Sequence, residues 1–489
     1  MPVEEQTDVI VIGGGGAGVP AALEAGAAGA SVTLIEQASE LGGTAAISGG
    51  GCCIAGTPLQ ESLGIHDTVD LAFEDWVKCG QGAAEEQWAR YYLEHSLHDL
   101  YFWAEKHGVK WVGLMENEGN SVPRWHRPAN TGYGLMRTLI TALESQGGTR
   151  LINRSSVEKL LVRNRKVCGV RTLDKESGEN RQIFARAVIV ATGGFASNLD
   201  MVLEVRPELK AFKVLEGSGP GATGLGHRLL REQGAYFTHM EDIVFYVYAT
   251  PDHRHANSHR GIVFRGAPGY VWVNQSGRRF HNEALVGANS ATPALLTQNP
   301  PHAWAILDSA MARGIQLFDP YYRDGGEEFL WDRIKETLER SPYIRHAPSL
   351  EQLARSIEVP AAAFLSEISA YNDAFDRRLD KEPLFGKPLK GSKKFDTPPY
   401  FAIQLFPLAR KNLGGVMTDM RCRVLDKSFE PIPGLYAAGE VAGMAGGHIN
   451  GKAPLEGTML GPSIFSGRVA GGWAAHEAGR GAGFVGKAR

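Results

Sequence analysis

Cysteine is scarce in this 489-residue chain, net charge is close to zero, and long apolar runs are missing. The five cysteines, Cys52, Cys53, Cys79, Cys168 and Cys422, form an odd, irregularly spaced set without a CxxC pair. That argues against a disulfide framework and against a zinc or dithiol motif, and a reducing cytosol is the simplest compartment. The adjacent Cys52 and Cys53 read as small buried residues near a ligand rather than as a redox couple. With 51 Lys and Arg against 54 Asp and Glu, no field is strong enough to draw in nucleic acid or an anionic membrane. The opening MPVEEQT is acidic, and the apolar run after it, Val9 to Ile12, is far too short for a leader or a span. No later stretch reaches about 18 apolar residues free of charge or glycine clusters. The expectation is a cytoplasmic protein with no membrane span and no nucleic-acid partner.

Glycine is what the chain has in excess, with 60 residues gathered at Gly13 to Gly18, Gly42 to Gly51, Gly193-Gly194, Gly217 to Gly226 and Gly439 to Gly472. Such clusters mark backbone that runs close to a ligand, and their placement predicts that both ends of the chain fold onto it together. An apolar content of 43% over this length exceeds one compact core. The middle is richer in aromatics and charge. We therefore expect a discontinuous cofactor domain, residues 1–245 and 408–489, with a substrate domain, residues 246–407, inserted. No internal repeat or low-complexity linker is visible.

Asp8 to Ile12 reads as a buried strand running into Gly13-x-Gly15-x-x-Gly18, after which Val19 to Ala28 reads as an alanine-rich helix. Gly13 permits the tight turn, Gly15 lets backbone approach a pyrophosphate, and Gly18 lets the helix pack on the strand. The helix N-terminus then meets phosphate charge with its N–H groups and positive dipole end. A second strand, Ser31 to Ile35, ends in Glu36, where a carboxylate accepts from ribose hydroxyls and repels a 2′-phosphate.

Further segments extend the pattern: LGGTAAISGGG (Leu41 to Gly51), AVIVATGG (Ala187 to Gly194), GATGLG (Gly221 to Gly226), NQSGRRFHNE (Asn274 to Glu283), LGGVMTD (Leu413 to Asp419) and PIPGLYAAGE (Pro431 to Glu440). In order and spacing this set resembles the superfamily of the fumarate reductase and succinate dehydrogenase flavoproteins and the 3-ketosteroid dehydrogenases. The resemblance implies an α/β fold, a Rossmann-type FAD-binding domain with an inserted α+β capping domain that closes over the flavin, and a small-molecule substrate held between them. It implies FAD held by Gly13, Gly15, Gly16, Ala17, Gly18 and Glu36; by Gly42, Gly43, Thr44, Ser48, Gly49 and Gly50; by Val157, Thr192 and Gly193; and by Gly439, Glu440, Gly457, Thr458 and Leu460. Succinate dehydrogenases attach flavin through a histidine that would fall within Gly43 to Gly51, where this chain has none, so the FAD is expected to be non-covalent. The last helix, about Gly461 to Ala478, is expected to aim its N-terminus at the flavin pyrimidine. Leu225 stands where relatives often carry Asp, which puts one cofactor contact in doubt.

The chemistry implied is addition or removal of hydrogen across a carbon–carbon bond activated by a carbonyl or carboxylate: hydride through flavin N5, and a proton through a side chain. The places that match the catalytic arginine, histidine and second arginine of fumarate reductases read Gly287, Lys411 and Pro454, so a true fumarate reductase is not expected. A tyrosine used by the steroid dehydrogenases near the Gly287 place is missing too. Candidates to replace them are Tyr248, Lys411, His448 and Lys452. Tyr246 and Tyr248 share one face of a strand, and ordinary half-buried tyrosines remain an alternative reading. Arg410-Lys411 also reads as a solvated basic pair. Asp252-His-Arg-His255 reads as a solvated loop rather than a metal cluster, and no metal is expected. A ketosteroid- or enone-like substrate leads. A tricarballylate-like polycarboxylate held by Arg410, Lys411 and Lys452 is the alternative, and a non-catalytic flavin-binding or electron-transfer subunit is a third reading. The electron donor or acceptor is not legible.

Overall fold

The apolar run and glycine turn at the start of the chain become strand β1 (Glu5–Ile12) and helix α1 (Gly18–Ala27), followed by β2 (Val32–Ile35). In this computed structural model the described residues are 5–255, 259–287, 289–323, 328–484 and 486; the first four residues of the acidic opening, read above for a leader, lie outside them. Two compact units emerge, Met1–Val205 with Ser218–Ile243 and Lys411–Arg489, and Arg206–Gly217 with Val244–Arg410.

In the first unit β1 lies at the centre of a sheet, flanked in parallel by β2 and β4 (Asn180–Val190); β3 (Thr149–Ile152) and β5 (Pro431–Ala437) extend it on either side, also in parallel. Val9, Ile10 and Val11 are wholly buried, as continuous apolar strands of a parallel sheet are when both faces are covered. Register is what positions the site. Ile12 stands opposite both Ile35 and Val190, and Val190 opposite Ala437. The turns that begin at Gly13, Glu36, Ala191 and Ala438 therefore open on one edge, beyond the carboxyl ends of the strands, where open α/β sheets bind ligands.

Helix α2 (Leu460–Glu477) runs alongside α1 and is buried almost throughout. Gly467 and Gly471 make this possible, because a Cβ at the first would meet the carbonyl of Ala17, just before α1, and one at the second that of Ala21 within it. A small antiparallel sheet, Cys52–Cys53 with Trp125–Pro128 and Trp111–Met115, brings the Trp125 indole onto Gly49 and Gly51. Beneath it the fully buried guanidinium of Arg124 is ion-paired to Asp67 and Asp75, two carboxylates that supply the hydrogen bonds a buried cation requires.

The second unit is built on another eight-stranded sheet, in which Tyr400–Asn412 pairs antiparallel with Ala303–Asp308 and Ile344–Ala347. Residues 206–217, which the sequence had left with the cofactor domain, join this unit because Leu215 and Glu216 pair with Leu408 and Ala409. Trp272, Phe264, Tyr322 and Phe364 fill its core. The GRRFHNE run serves this unit as a buried clasp: Arg279 holds Glu283 through two 2.9 Å hydrogen bonds and Glu382 at 3.1 Å, and Lys387 lies 3.4 Å from Glu283. The Asp252–His255 loop is less solvated than expected. Asp252 is buried because Arg254 folds back onto its carboxylate at 2.6 Å, and that guanidinium also reaches Asp319. Among the described residues no helix is long and apolar enough to cross a membrane.

Candidate functional site

The edge above the first unit's sheet is shaped by glycine. Gly13 adopts φ +100°, and Gly18 lies so close to the Gly13 carbonyl that no side chain fits there. Gly16 rests on Leu460 and Ala45, and Ala17 abuts Gly439, so the first and last turns of the seat touch. Beside Gly15 and Gly193, by contrast, a Cβ would meet nothing within 4 Å. Glu36 is buried at the end of β2, with Oε2 accepting from Gly14 N–H at 2.7 Å and Oε1 from Ala38 N–H at 2.8 Å. These bonds leave each oxygen a further lone pair for ribose. No side chain caps the N-terminus of α1 or of α2. Thr192 Oγ1 is buried without a hydrogen-bond partner among the described residues. Open space beside backbone, uncapped helix ends and an orphaned hydroxyl are what a pyrophosphate and its flavin would complete, so these residues fit the group.

The other positions expected to hold FAD lie in several separate elements of the first unit. Gly42 and Gly43 (φ +124° and +51°) lead into Thr44 and a short helical turn that Ser48 closes on Ala45 O at 2.7 Å. Gly50 packs on Gly132, and Val157 is buried in the strand Ser155–Arg163. Gly439 N–H donates to Ser466 Oγ. Gly457 O accepts from Cys53 N–H at 3.0 Å, and Thr458 Oγ1 donates to Leu455 O just before α2 begins at Leu460. Cys52 and Cys53 are fully buried, and burial pushes both thiols up, Cys53 to about 12, which leaves them without the thiolate that redox chemistry needs.

The four catalytic candidates divide between the units. Tyr248 belongs to the second. It is deeper than a half-buried strand tyrosine, stacked on Tyr246 at 5.2 Å, and its hydroxyl accepts from Arg265. Lys411, His448 and Lys452 belong to the first unit. Lys411 is half-buried at the end of its strand and Lys452 is exposed. His448 is buried, with Nδ1 3.0 Å from Ala83 O and Nε2 3.0 Å from Asp242 Oδ2. Its ring lies under that of His239, centroids 3.8 Å apart and planes at 10°. His239 is pushed below the ordinary imidazole range, by partial burial first and then by His448.

Residues 8–460 match a family described as FAD binding domain. The chain belongs to this family. It is similar to the NADH:fumarate oxidoreductase of Klebsiella pneumoniae, with 29% identity over 96% of this chain, and it spans about half (48%) of that relative's length. It is also similar to a KsdD-like steroid dehydrogenase of Mycobacterium tuberculosis, with 29% identity over 96% of each protein. Among solved structures, the open conformation of a flavocytochrome c3 fumarate reductase matches with a TM-score of 0.78 and 30% identity, over 98% of this chain and 79% of that one. The mixed helix and strand fold is that of FAD-binding flavoproteins, and FAD is the cofactor.

Some residues packed against the glycine turns escaped the sequence reading. Asn412 is buried between the glycine turns: its Oδ1 accepts from Phe195 N–H at 3.1 Å, and its Nδ2 donates to Gly414 O at 2.7 Å. The polar end of the strand, Arg410-Lys411-Asn412, just before Leu413-Gly-Gly was the available signal. His239 and Asp242, which lie against His448, were not singled out either, although a His-x-x-Asp spacing is written in the sequence.

Proposed function

We propose that this flavoprotein is an oxidoreductase that adds or removes hydrogen across a carbon–carbon bond activated by a carbonyl, in the manner of a ketosteroid dehydrogenase or an enone reductase. In this reading the first unit is a Rossmann-type domain holding FAD non-covalently, and the second is the capping domain inserted in it. The observation that carries the choice is Gly287, Lys411 and Pro454. They stand at the positions where the resemblance to fumarate reductases calls for an arginine, a histidine and an arginine, so the grip on a dicarboxylate is lost. End-to-end likeness to a KsdD-like steroid dehydrogenase supports the same reading. When bound, FAD supplies the hydride at N5. The chain must place the second carbon, stabilise charge on the activating oxygen and move one proton. Tyr248, Lys411, His448 and Lys452 are the candidates for these tasks.

The test is a panel of ketosteroids and enones set against fumarate-like and tricarboxylate compounds, scored by bleaching of the oxidised flavin or reoxidation of the dithionite-reduced one. Response to the ketones alone is expected. Response to tricarboxylates alone moves the assignment to a polycarboxylate dehydrogenase, and silence from every compound moves it to an electron-transfer or non-catalytic flavoprotein.

A further inference from the structure

We propose that His239, Asp242 and His448 bind one borderline-soft divalent metal ion, of which zinc is the type, through two imidazole nitrogens and a carboxylate oxygen. The inference stands apart from the reaction proposed above and holds whichever substrate the flavin serves.

The backbone brings the three together. Phe237 and Thr238 pair antiparallel with Val416 and Gly415, and Asp242 N–H returns to His239 O at 3.0 Å, a tight turn that sets both side chains on one loop. Gly447 packs so closely on Thr238 and Met417 that a side chain there would press on both, which seats the next residue, His448, against that turn. All three residues belong to the first unit. No ligand set was visible in the sequence, because His448 lies far along the chain from the His-x-x-Asp pair.

The polar atoms argue for a cation among them. A carbonyl oxygen only accepts, so His448 donates Nδ1–H to Ala83 O at 3.0 Å, and Nε2 of the neutral ring carries the lone pair. A histidine whose second nitrogen is fixed by a backbone carbonyl is the usual form of a metal ligand. Nε2 lies 3.0 Å from Asp242 Oδ2, yet the two are not aligned for a hydrogen bond, and neither has any hydrogen-bond partner among the described residues. A buried nitrogen and a buried carboxylate oxygen left this way cost free energy until something satisfies both. Ligands of one metal ion meet on these terms, each pointing its lone pair at the ion rather than at its neighbour. About 3.3 Å separates two atoms held about 2 Å from a tetrahedral ion. Asp242 Oδ2 lies 3.0 Å from His448 Nε2 and 3.7 Å from His239 Nδ1, and the three ligand atoms are all within 4.8 Å of one another.

His239 completes the set by turning. Its ring lies 3.8 Å from that of His448 and within 10° of parallel, so the in-plane lone pairs of the two rings do not converge as they stand. The His239 side chain is 41% exposed against 4% for His448. Rotation about Cβ–Cγ, a torsion with a broad profile, swings the ring out of the stack while Nδ1 stays beside Asp242.

Two imidazoles and one carboxylate suit zinc, whereas magnesium and calcium prefer sets of oxygens. Three protein ligands leave a fourth position for water on the exposed side. The ion fastens several stretches of chain: Leu413 N–H donates to Asp242 O at 2.8 Å, Gly414 packs on the His239 carbonyl, and Glu85 N–H donates to His448 O at 3.0 Å. Ligation occupies the His448 lone pair, which leaves Tyr248, Lys411 and Lys452 as the candidates for moving a proton.

The test uses the FAD-loaded protein, stripped of metal with a chelator and titrated with zinc. Calorimetry and elemental analysis should find one zinc per chain, and magnesium at the same concentration should not bind. The melting temperature should rise as zinc is added, because an ion that binds only the folded chain stabilises it. Cobalt in place of zinc should give visible ligand-field bands at longer wavelength than the flavin absorption. Asp242→Asn, His448→Gln and His239→Asn should each weaken zinc binding at least about tenfold and dim the cobalt bands. An unaltered flavin spectrum checks the fold of each variant. Should Asp242→Asn or His448→Gln shed FAD, His239→Asn decides alone, since the ring is exposed and asparagine tolerates the left-handed backbone at φ +53°. A wild-type chain that takes up no zinc overturns the site, as does uptake undiminished in His239→Asn.

Discussion

Asn412 and Glu440 grip each other twice: Glu440 Oε1 accepts from Asn412 N–H at 3.1 Å, and Asn412 Nδ2 donates to Glu440 O at 3.0 Å. Asn412 Oδ1 extends the grip to Phe195, just past the Thr192–Gly194 turn. Replacing Asn412 by Ala leaves several buried backbone groups unpaired, at about 1–3 kcal/mol each. We expect Asn412→Ala to weaken FAD binding at least about tenfold and to lower the melting temperature. Fluorescence titration of the apoprotein with FAD and thermal melts read both, and Asn412→Asp, which sets a carboxylate beside Glu440, should be worse.

Gly15 and Gly18 separate fold from cofactor. A methyl on Gly18 collides with the Gly13 carbonyl, whereas a methyl on Gly15 meets nothing within 4 Å. Gly18→Ala should therefore destabilise the apoprotein by about 1–3 kcal/mol and abolish FAD retention. Gly15→Ala should melt like the parent without FAD and still fail to retain the cofactor. Apoprotein melts and the FAD to protein ratio after desalting decide the matter; normal FAD content in Gly15→Ala would remove Gly15 from the seat.

Two buried histidines predict acid lability. Burial pushes His126 down to about 4 and His227 down to about 3, against 6.5 for a free imidazole. Both are neutral in the folded state, so the unfolded chain binds more protons as pH falls below 6.5. Stability is complete above that value and is lost toward the folded values at about 1.4 kcal/mol per pH unit for each ring, about 4 kcal/mol together at pH 5. Urea titrations at pH 7.5 and near pH 5 measure the loss. His227 is held between Phe195 and Phe237 with neither nitrogen bonded among the described residues. His227→Phe should consequently raise stability and cut the pH dependence by roughly half.

Thiol chemistry should be nearly silent. Cys52, Cys53 and Cys422 are buried, and burial raises all three thiols, whereas Cys168 is partly exposed. An aromatic disulfide reagent followed by peptide mass mapping should label Cys168 in the native protein and reach the four buried cysteines, Cys52, Cys53, Cys79 and Cys422, only after denaturation. Rapid native labelling of Cys53 would contradict the buried geometry.

Much of the seat was legible because its constraints are local. A strand, a glycine at a forced turn and a helix write themselves into consecutive residues, and Gly13 to Glu36 did so. The same holds for Gly439 and for the helix that opens at Leu460. The clasp of Arg279, Glu283, Glu382 and Lys387 was half visible, since one partner pair is a hundred residues away in sequence and nothing in its local pattern points across that gap. Asp242 with His448, and Asn412 with Glu440, are pairings of single side chains across unrelated turns. No periodicity encodes such a meeting; only the register of the sheet brings it about. Residues 206–217 were misplaced for a similar reason, since a two-residue strand pairing carries no sequence signature.

The level ends of β1, β4 and β5 have a consequence in time. Strand β5 and helix α2 come from the last sixty residues of the chain, yet α2 lies against α1 and β5 completes the row of turns at the carboxyl ends of the strands. While the chain is being synthesised from its N-terminus, Gly13 to Gly18 waits as an open ledge with one wall missing, through the whole interval in which the second unit is made. The edge is thus closed only by the last elements made, and a lesion that delays the final helix leaves an intact glycine motif without its neighbouring wall.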